Sequence, residues 1–196
     1  MKYIIMADGE GLRWNNYKNI PKQLIKIEGE TLLERTVRLL KKHDRGCDVI
    51  ITSHNPMFDI EGATRYEPLN NNLEIDRFTE ELIEDDICFL YGDTYYEEAT
   101  ICNVIKTEID DLIFFGNNKS IVAVKIKDSV IFKHHVDNVR RLFCEGKIKQ
   151  CKGWQVYRSF AGLPYDENII TDNFIFVEEN TKDFNTPEDY DYIIDK

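Results

Sequence analysis

"IIMADGEGLRWNN", residues 4–16, is a short apolar run that breaks at Ala7 into two glycines separated by one residue. An apolar run ending in Gly9 and Gly11 reads as a strand followed by a loop whose main-chain amides can approach a phosphate. The third glycine of a dinucleotide fingerprint would fall at Trp14, and no Gly-Lys-Ser/Thr follows, so neither of those phosphate loops is present. A bare Gly-x-Gly is also what a structural turn looks like. Arg13 and, beyond Pro21, Lys22 add two cations near the same strand end, a set suited to a triphosphate. Asp8 and Glu10 stand in the same loop, where negative charge is unwelcome beside a phosphate.

Working outward, strands and helices alternate. Residues 2–6 form the first strand, and "TLLERTVRLLKKH" (31–43) is a helix with Thr31 and Glu34 as a capping box and Leu32, Leu33, Thr36, Val37 and Leu40 on one face. "CDVIITS" (47–53), "GATRYEP" (62–68), "DICFLYGD" (86–93), "DDLIFFG" (110–116), "SIVAVKIK" (120–127) and "NFIFVEE" (173–179) read as strands or strands ending in turns. "NLEIDRFTEELIE" (72–84) is predicted to be an amphipathic helix with Leu73, Phe78 and Leu82 inward. "EEATICNVIKTEI" (97–109) and "SVIFKHHVDNVRRLFCEG" (129–146) are further helices. In "NTPEDYDYII" (185–194), Thr186 is placed as N-cap with Pro187 at the first helical position. The alternation predicts an α/β protein: a single three-layer α/β/α domain over 1–196, with a mainly parallel mixed sheet of Rossmann-like type. In such sheets ligands sit at the carboxyl ends of the strands, which points to the loop after Met6, the turn at Gly92-Asp93 and the segment after Val177.

Composition narrows the function class. Of 196 residues, 42% are hydrophobic and only five are proline, which fits a folded core rather than disorder. A formal net charge of −11 argues against a nucleic-acid partner but leaves room for one anionic ligand held locally with a divalent metal. The five cysteines make no CxxC pair and read as reduced thiols, and His134-His135 are poorly placed for one metal. No apolar run is long enough for membrane insertion, so a cytoplasmic location is expected.

Five further stretches carry candidate chemistry. Asp93 leaves a buried strand behind a glycine, where its carboxylate either ligates Mg2+ or caps the next helix. In "TKDFNTPEDY" (181–190), Asp183 and Asn185 share one side of an extended segment, able to complete a metal site or to cap the following helix. "TSHNP" (52–56) offers Ser53, His54 or Asn55 for base contacts, or is a simple turn. Asp76 and Arg77 face either the cleft or solvent. Trp154 and Arg158, four apart on a helix, either meet a phosphorylated acceptor or form a core Trp with a surface Arg.

In order along the chain, "GxGxR", "PKQL", "GETLLERT", "LYGD" and "DFNTPEDY" resemble the nucleotidyltransferases of the glycosyltransferase-A-like fold, similar to sugar-phosphate nucleotidyltransferases and cytidylyltransferases. The resemblance spans the whole chain. It implies that Ala7, Asp8, Gly9, Glu10, Gly11 and Leu12 wrap the nucleotide together with Ser53, and that Arg13 and Lys22 bind its phosphates as catalytic groups. It also implies Mg2+ as cofactor on Asp93 and Asn185, with Asp183 as an additional ligand. Trp154, Arg158 and Tyr95 are the acceptor candidates. The implied reaction passes an NMP group, from CTP as first choice, to a small phosphorylated acceptor with release of pyrophosphate. The implied partners are therefore an NTP and that acceptor, with a homodimer left open. Asp8 departs from the family pattern, which has a small residue there. A glycosyltransferase of the same general fold and a non-catalytic nucleotide-binding regulatory module are the alternative readings.

Overall fold

The structure is a computed structural model that describes residues 1–9, 11–15 and 17–194. Eleven strands and five α-helices succeed one another: β1 (Lys2–Met6), β2 (Lys26–Ile27), β3 (Glu30–Thr31), α1 (Leu32–His43), β4 (Asp48–Thr52), β5 (Thr64–Tyr66), β6 (Ile87–Tyr91), β7 (Thr94–Tyr95), α2 (Glu98–Lys106), β8 (Leu112–Gly116), β9 (Ile121–Ile126), α3 (Ser129–Cys144), α4 (Gly153–Ala161), β10 (Phe174–Phe176), β11 (Lys182–Asp183) and α5 (Pro187–Ile194). Seven strands form one sheet in the order β10, β8, β9, β6, β1, β4, β5. Only β9 runs antiparallel to its neighbours, β6 and β8. The sheet is therefore mixed and mainly parallel, as the sequence predicts.

Period-two alternation assigns the two faces. Tyr3 and Ile5 of β1, with Cys88 and Leu90 of β6, point to the side covered by α1 and α2. Ile4 and Met6, with Ile87 and Phe89, point to the side covered by α3 and α4, where they meet Phe132, Val136, Val139 and Val156. Both faces are dry, which is why the strands read as unbroken apolar runs. Lys125 interrupts the run in β9, and it is almost fully buried. Its ammonium donates to the carbonyls of Val104, Ile105 and Thr107 at 2.9, 2.9 and 2.7 Å, closing the C-terminal end of α2.

The capping box of α1 forms as predicted: Thr31 Oγ1 accepts from the Glu34 amide at 3.1 Å, and Glu34 Oε2 accepts from the Thr31 amide at 2.7 Å. Two expectations change. Residues 72–84 do not form a continuous helix but two short 3₁₀ turns, Glu74–Arg77 and Glu80–Leu82. The break lies at Phe78 and Thr79, whose backbones leave the helical region with ψ 74° and 106°, Phe78 being buried against Phe89 and Phe132. Asp76 caps the first turn: its carboxylate accepts from the amides of Asn72 and Leu73 at 2.9 and 2.7 Å and from Arg140 at 2.5 Å. The apolar positions Ile75 and Phe78 are still buried. At α5, Thr186 and Pro187 take the expected N-cap and first helical positions, but the capping bonds are supplied from inside the helix: Asp189 Oδ2 accepts from the amides of Asn185 and Thr186, both at 2.8 Å.

Register sets where the loops meet. Met6 lies opposite Thr52 on one side and Tyr91 on the other, so β1, β4 and β6 end at one level. The chain fills the sheet on one side of β1 and then crosses to the other, which places a topological switch point at these ends.

Candidate active site

Beyond the ends of β1, β6 and β8 lies a cleft of about 520 Å³. The loop after β1 crosses it in three 3₁₀ turns, Leu12–Trp14, Tyr17–Asn19 and Lys22–Leu24. Trp14 is buried and donates through Nε1 to the Ile20 carbonyl at 2.9 Å, which pins the loop. Gly11 adopts φ 63°, the left-handed region that a side chain would strain. Gln23 donates to the Ala7 carbonyl at 3.2 Å, tying the start of the loop to its far end.

Charges converge on the floor. Lys22, only 8% exposed, forms an ion pair with Asp93. Asp93 leaves β6 through Gly92, where a Cβ would lie 2.9 Å from the Met6 carbonyl and 3.1 Å from Ala7 Cβ, so only glycine fits. The short antiparallel pair β7–β11 then brings Asp183 opposite Thr94, and the Phe184 amide donates to the Asp93 carbonyl at 2.8 Å. Asp183 accepts from Ser120 Oγ at 2.7 Å and from the Asn185 amide group. Asn185 Oδ1 in turn accepts from Arg13 at 2.7 Å. Asp93 does not cap α2, whose N-cap residue is Glu97. The side chain of Asn185 likewise faces the cleft and leaves the capping of α5 to Asp189.

Asp8 turns away from this floor. Its carboxylate accepts from the His54 amide at 2.9 Å and lies 2.7 Å from His54 Nδ1 and 3.5 Å from Ser53 Oγ. A carboxylate can only accept, so His54 carries its proton on Nδ1. Asp8, Ala7, Gly9 and Ser53 line a recess of about 480 Å³ beside the main cleft, bounded by Gln23 and Phe58. Leu12 is 80% exposed at the mouth of the cleft. Glu10, which the resemblance placed on the nucleotide, lies outside the described residues.

Of the acceptor candidates, Trp154 lines the cleft and stacks on Phe174, with centroids 5.6 Å apart and planes 8° from parallel. Tyr95 does not face it: its ring lies under the Arg35 guanidinium at 4.3 Å and its hydroxyl is 3.4 Å from Glu28. Arg158 is buried in a neighbouring cavity instead, because its position on α4 points it toward Tyr165 and Asn168.

Sequence reasoning missed Asn71, Lys119, Ser120 and Lys152, all of which line the cleft. The strand-end rule would have found two of them. β8 runs parallel to β10 and ends at Gly116, so the turn "NNKS" (117–120) sits on the same rim as Asp93. Asn117 Oδ1 fixes that turn by accepting from the amides of Lys119 and Ser120 at 2.8 and 3.0 Å. Arg77 also lies over the loop, with its Nη2 2.9 Å from where a Cβ on Gly9 would be.

Comparison with solved structures matches this arrangement across the chain. The CTP:phosphocholine cytidylyltransferase of Streptococcus pneumoniae superposes with a TM-score of 0.60 at 14% identity, covering 99% of this chain and 97% of that one. The chain shares the fold of that protein. The 2-C-methyl-D-erythritol 4-phosphate cytidylyltransferase of Thermus thermophilus has the same fold, with a TM-score of 0.57, 13% identity and coverage of 98% and 96%. In sequence, the 3-deoxy-manno-octulosonate cytidylyltransferase of Wigglesworthia glossinidia brevipalpis is 24% identical over 170 residues, 81% of this chain and 67% of that protein. No family model matches the chain. Among the described residues, no helix is long and apolar enough to cross a membrane.

Proposed function

We propose that the chain is a nucleotidyltransferase that moves the NMP unit of an NTP onto a small phosphorylated acceptor and releases pyrophosphate. The observation that carries this reading is the convergence of Arg13, Lys22, Asp93, Asp183 and Asn185, from three separate segments, on one cleft at the switch point. CTP is the first candidate nucleotide, because proteins named as cytidylyltransferases recur among those similar to this chain in sequence and in fold.

Arg13 and Lys22 supply the positive charge that a triphosphate needs, one at the rim and one on the floor. Gly9 and Gly11 line the cleft, where main-chain amides could approach a phosphate. Asp93, Asp183 and Asn185 offer hard oxygen donors, two carboxylates and an amide, the set Mg2+ accepts when phosphates and water complete its shell. Mg2+ held there would offset negative charge on the phosphates and the departing pyrophosphate. Among the described residues no larger His, Cys, Asp or Glu cluster is placed to hold a metal.

The reaction asks little else of the protein. An oxygen of the acceptor phosphate forms a bond to the α-phosphorus, the bond to the bridging oxygen of the β-phosphate breaks, and pyrophosphate leaves with that electron pair. A phosphate monoester is already ionised near neutral pH, so no general base is required. Catalysis is then positioning plus charge stabilisation. Asp8 does not obstruct it, since its carboxylate is committed to His54.

The test is pyrophosphate release with each NTP, Mg2+ and a panel of phosphorylated sugars and alcohols. One NTP–acceptor pair is expected to turn over. Tight NTP binding without release, or turnover of a nucleotide sugar instead, would overturn the proposal.

A further inference from the structure

Beside the cleft, and meeting it along Lys119, Lys152 and Trp154, lies a second cavity of about 850 Å³. In a chain of net charge −11 its lining is strongly basic: Lys119, Lys147, Lys149, Lys152 and Arg158. Lys147 pairs with Glu145 at 2.7 Å, whereas Lys119, Lys149 and Lys152 form no ion pair among the described residues. The acid that lines the cavity, Asp166, forms no ion pair there either.

Arg158 is the sharper observation, being only 6% exposed. Its guanidinium donates to the Tyr165 carbonyl at 3.0 Å and to Asn168 Oδ1 at 2.8 Å, both neutral acceptors. Its Nε has no partner. Burial disfavours its charge, and Asp166, which lies near it without making an ion pair, offsets that only in part; a bound anion would offset more of it. Beside it Gln155, 3% exposed, donates from Nε2 to the Tyr165 carbonyl at 3.3 Å, which fixes the amide orientation and leaves Oε1 without a donor. An unpaired donor and an unpaired acceptor on adjacent turns match a hydroxyl, which can serve both.

We propose that this side cavity binds a second anionic group, a carboxylate or a phosphate, on a polyhydroxylated acceptor whose reacting phosphate lies in the cleft. The proposal rests on the transferase reading for the word acceptor, but its binding claim can be measured without turnover. Lys119 and Lys152, which belong to both spaces, would face the stretch of ligand between its two charged ends.

Three matched probes test it by calorimetry: sorbitol 6-phosphate with one anionic end, 6-phosphogluconate with an added carboxylate, and sorbitol 1,6-bisphosphate with an added phosphate. At least one of the two doubly charged probes is expected to bind about tenfold more tightly than sorbitol 6-phosphate, the gain of one charge-assisted contact. Which of the two does so identifies the group. Lys149→Glu alters only the side cavity and sits in an exposed segment, so it should fold normally by thermal melting. It should cut the advantage to less than about threefold while leaving sorbitol 6-phosphate within about twofold. Equal affinity of all three probes, no binding by any, or an advantage unchanged in Lys149→Glu overturns the proposal. A probe that binds with the expected advantage while no acceptor releases pyrophosphate would sink the transferase reading and leave this one standing.

Discussion

At the level of single residues, Asp8 shows how context decides what a charge does. Its place between Ala7 and Gly9 looks hostile to a phosphate, yet the carboxylate spends its lone pairs on the His54 amide and ring. It therefore joins the loop after β1 to the loop after β4 and shapes the recess between them. Asp8→Ala should raise the KM for the NTP several-fold with kcat less affected, and cost about 1–2 kcal/mol of stability from the lost bonds. A collapse of kcat at unchanged KM would move Asp8 onto the reacting phosphates. The cleft's charged residues were legible because Lys22, Asp93, Asp183 and Asn185 sit at or beside element ends and Arg13 in the loop after β1, where side chains are free to converge. The sequence could not tell that Asp93 and Asn185 leave helix capping to others, because an Asp or Asn shortly before a helix suits either role by type.

The elements were legible wherever periodicity was strong. The strands β1, β4, β6, β8 and β9 and the helices α1 and α3 lie within one or two residues of their expected bounds. The failure at 72–84 is a local one, since the chain leaves helical geometry at Phe78 and Thr79, where Phe78 packs against Phe89 and Phe132. Sequence pattern was silent on Tyr96, which turns out to lock the end of β6 beside Asp93. Its buried hydroxyl accepts from the Tyr91 amide at 3.0 Å and lies 2.5 Å from the Val122 carbonyl, so it donates to β9. Tyr96→Phe removes both bonds from the core and should destabilise the fold by about 2 kcal/mol, read from urea denaturation. A loss under about 0.5 kcal/mol would show that the lock is not needed.

For the whole molecule, topology explains why distant segments make one site. Parallel strands that end at one level, with a change of direction at β1, leave room for the loops after β1, β6 and β8 and the segment around β11 to meet. The alternation of strands and helices predicts that layout, but the order of strands in the sheet is not written in any local pattern. Hence the turn at 117–120 and the entry to α4 went unread. A Cβ on Gly153, the first residue of α4, would lie 2.5 Å from Tyr91 Oη, a close approach visible only once α4 and β6 are placed together. The central claim is that this cleft positions an NTP through Asp93 and its neighbours. Pyrophosphate release by the parent protein and by Asp93→Asn, each with its melting temperature, tests it most directly. Asp93→Asn is expected to release pyrophosphate at least about 100-fold more slowly with its melting temperature nearly unchanged. A variant that keeps its rate, or that loses it only by unfolding, would remove Asp93 from the catalytic site.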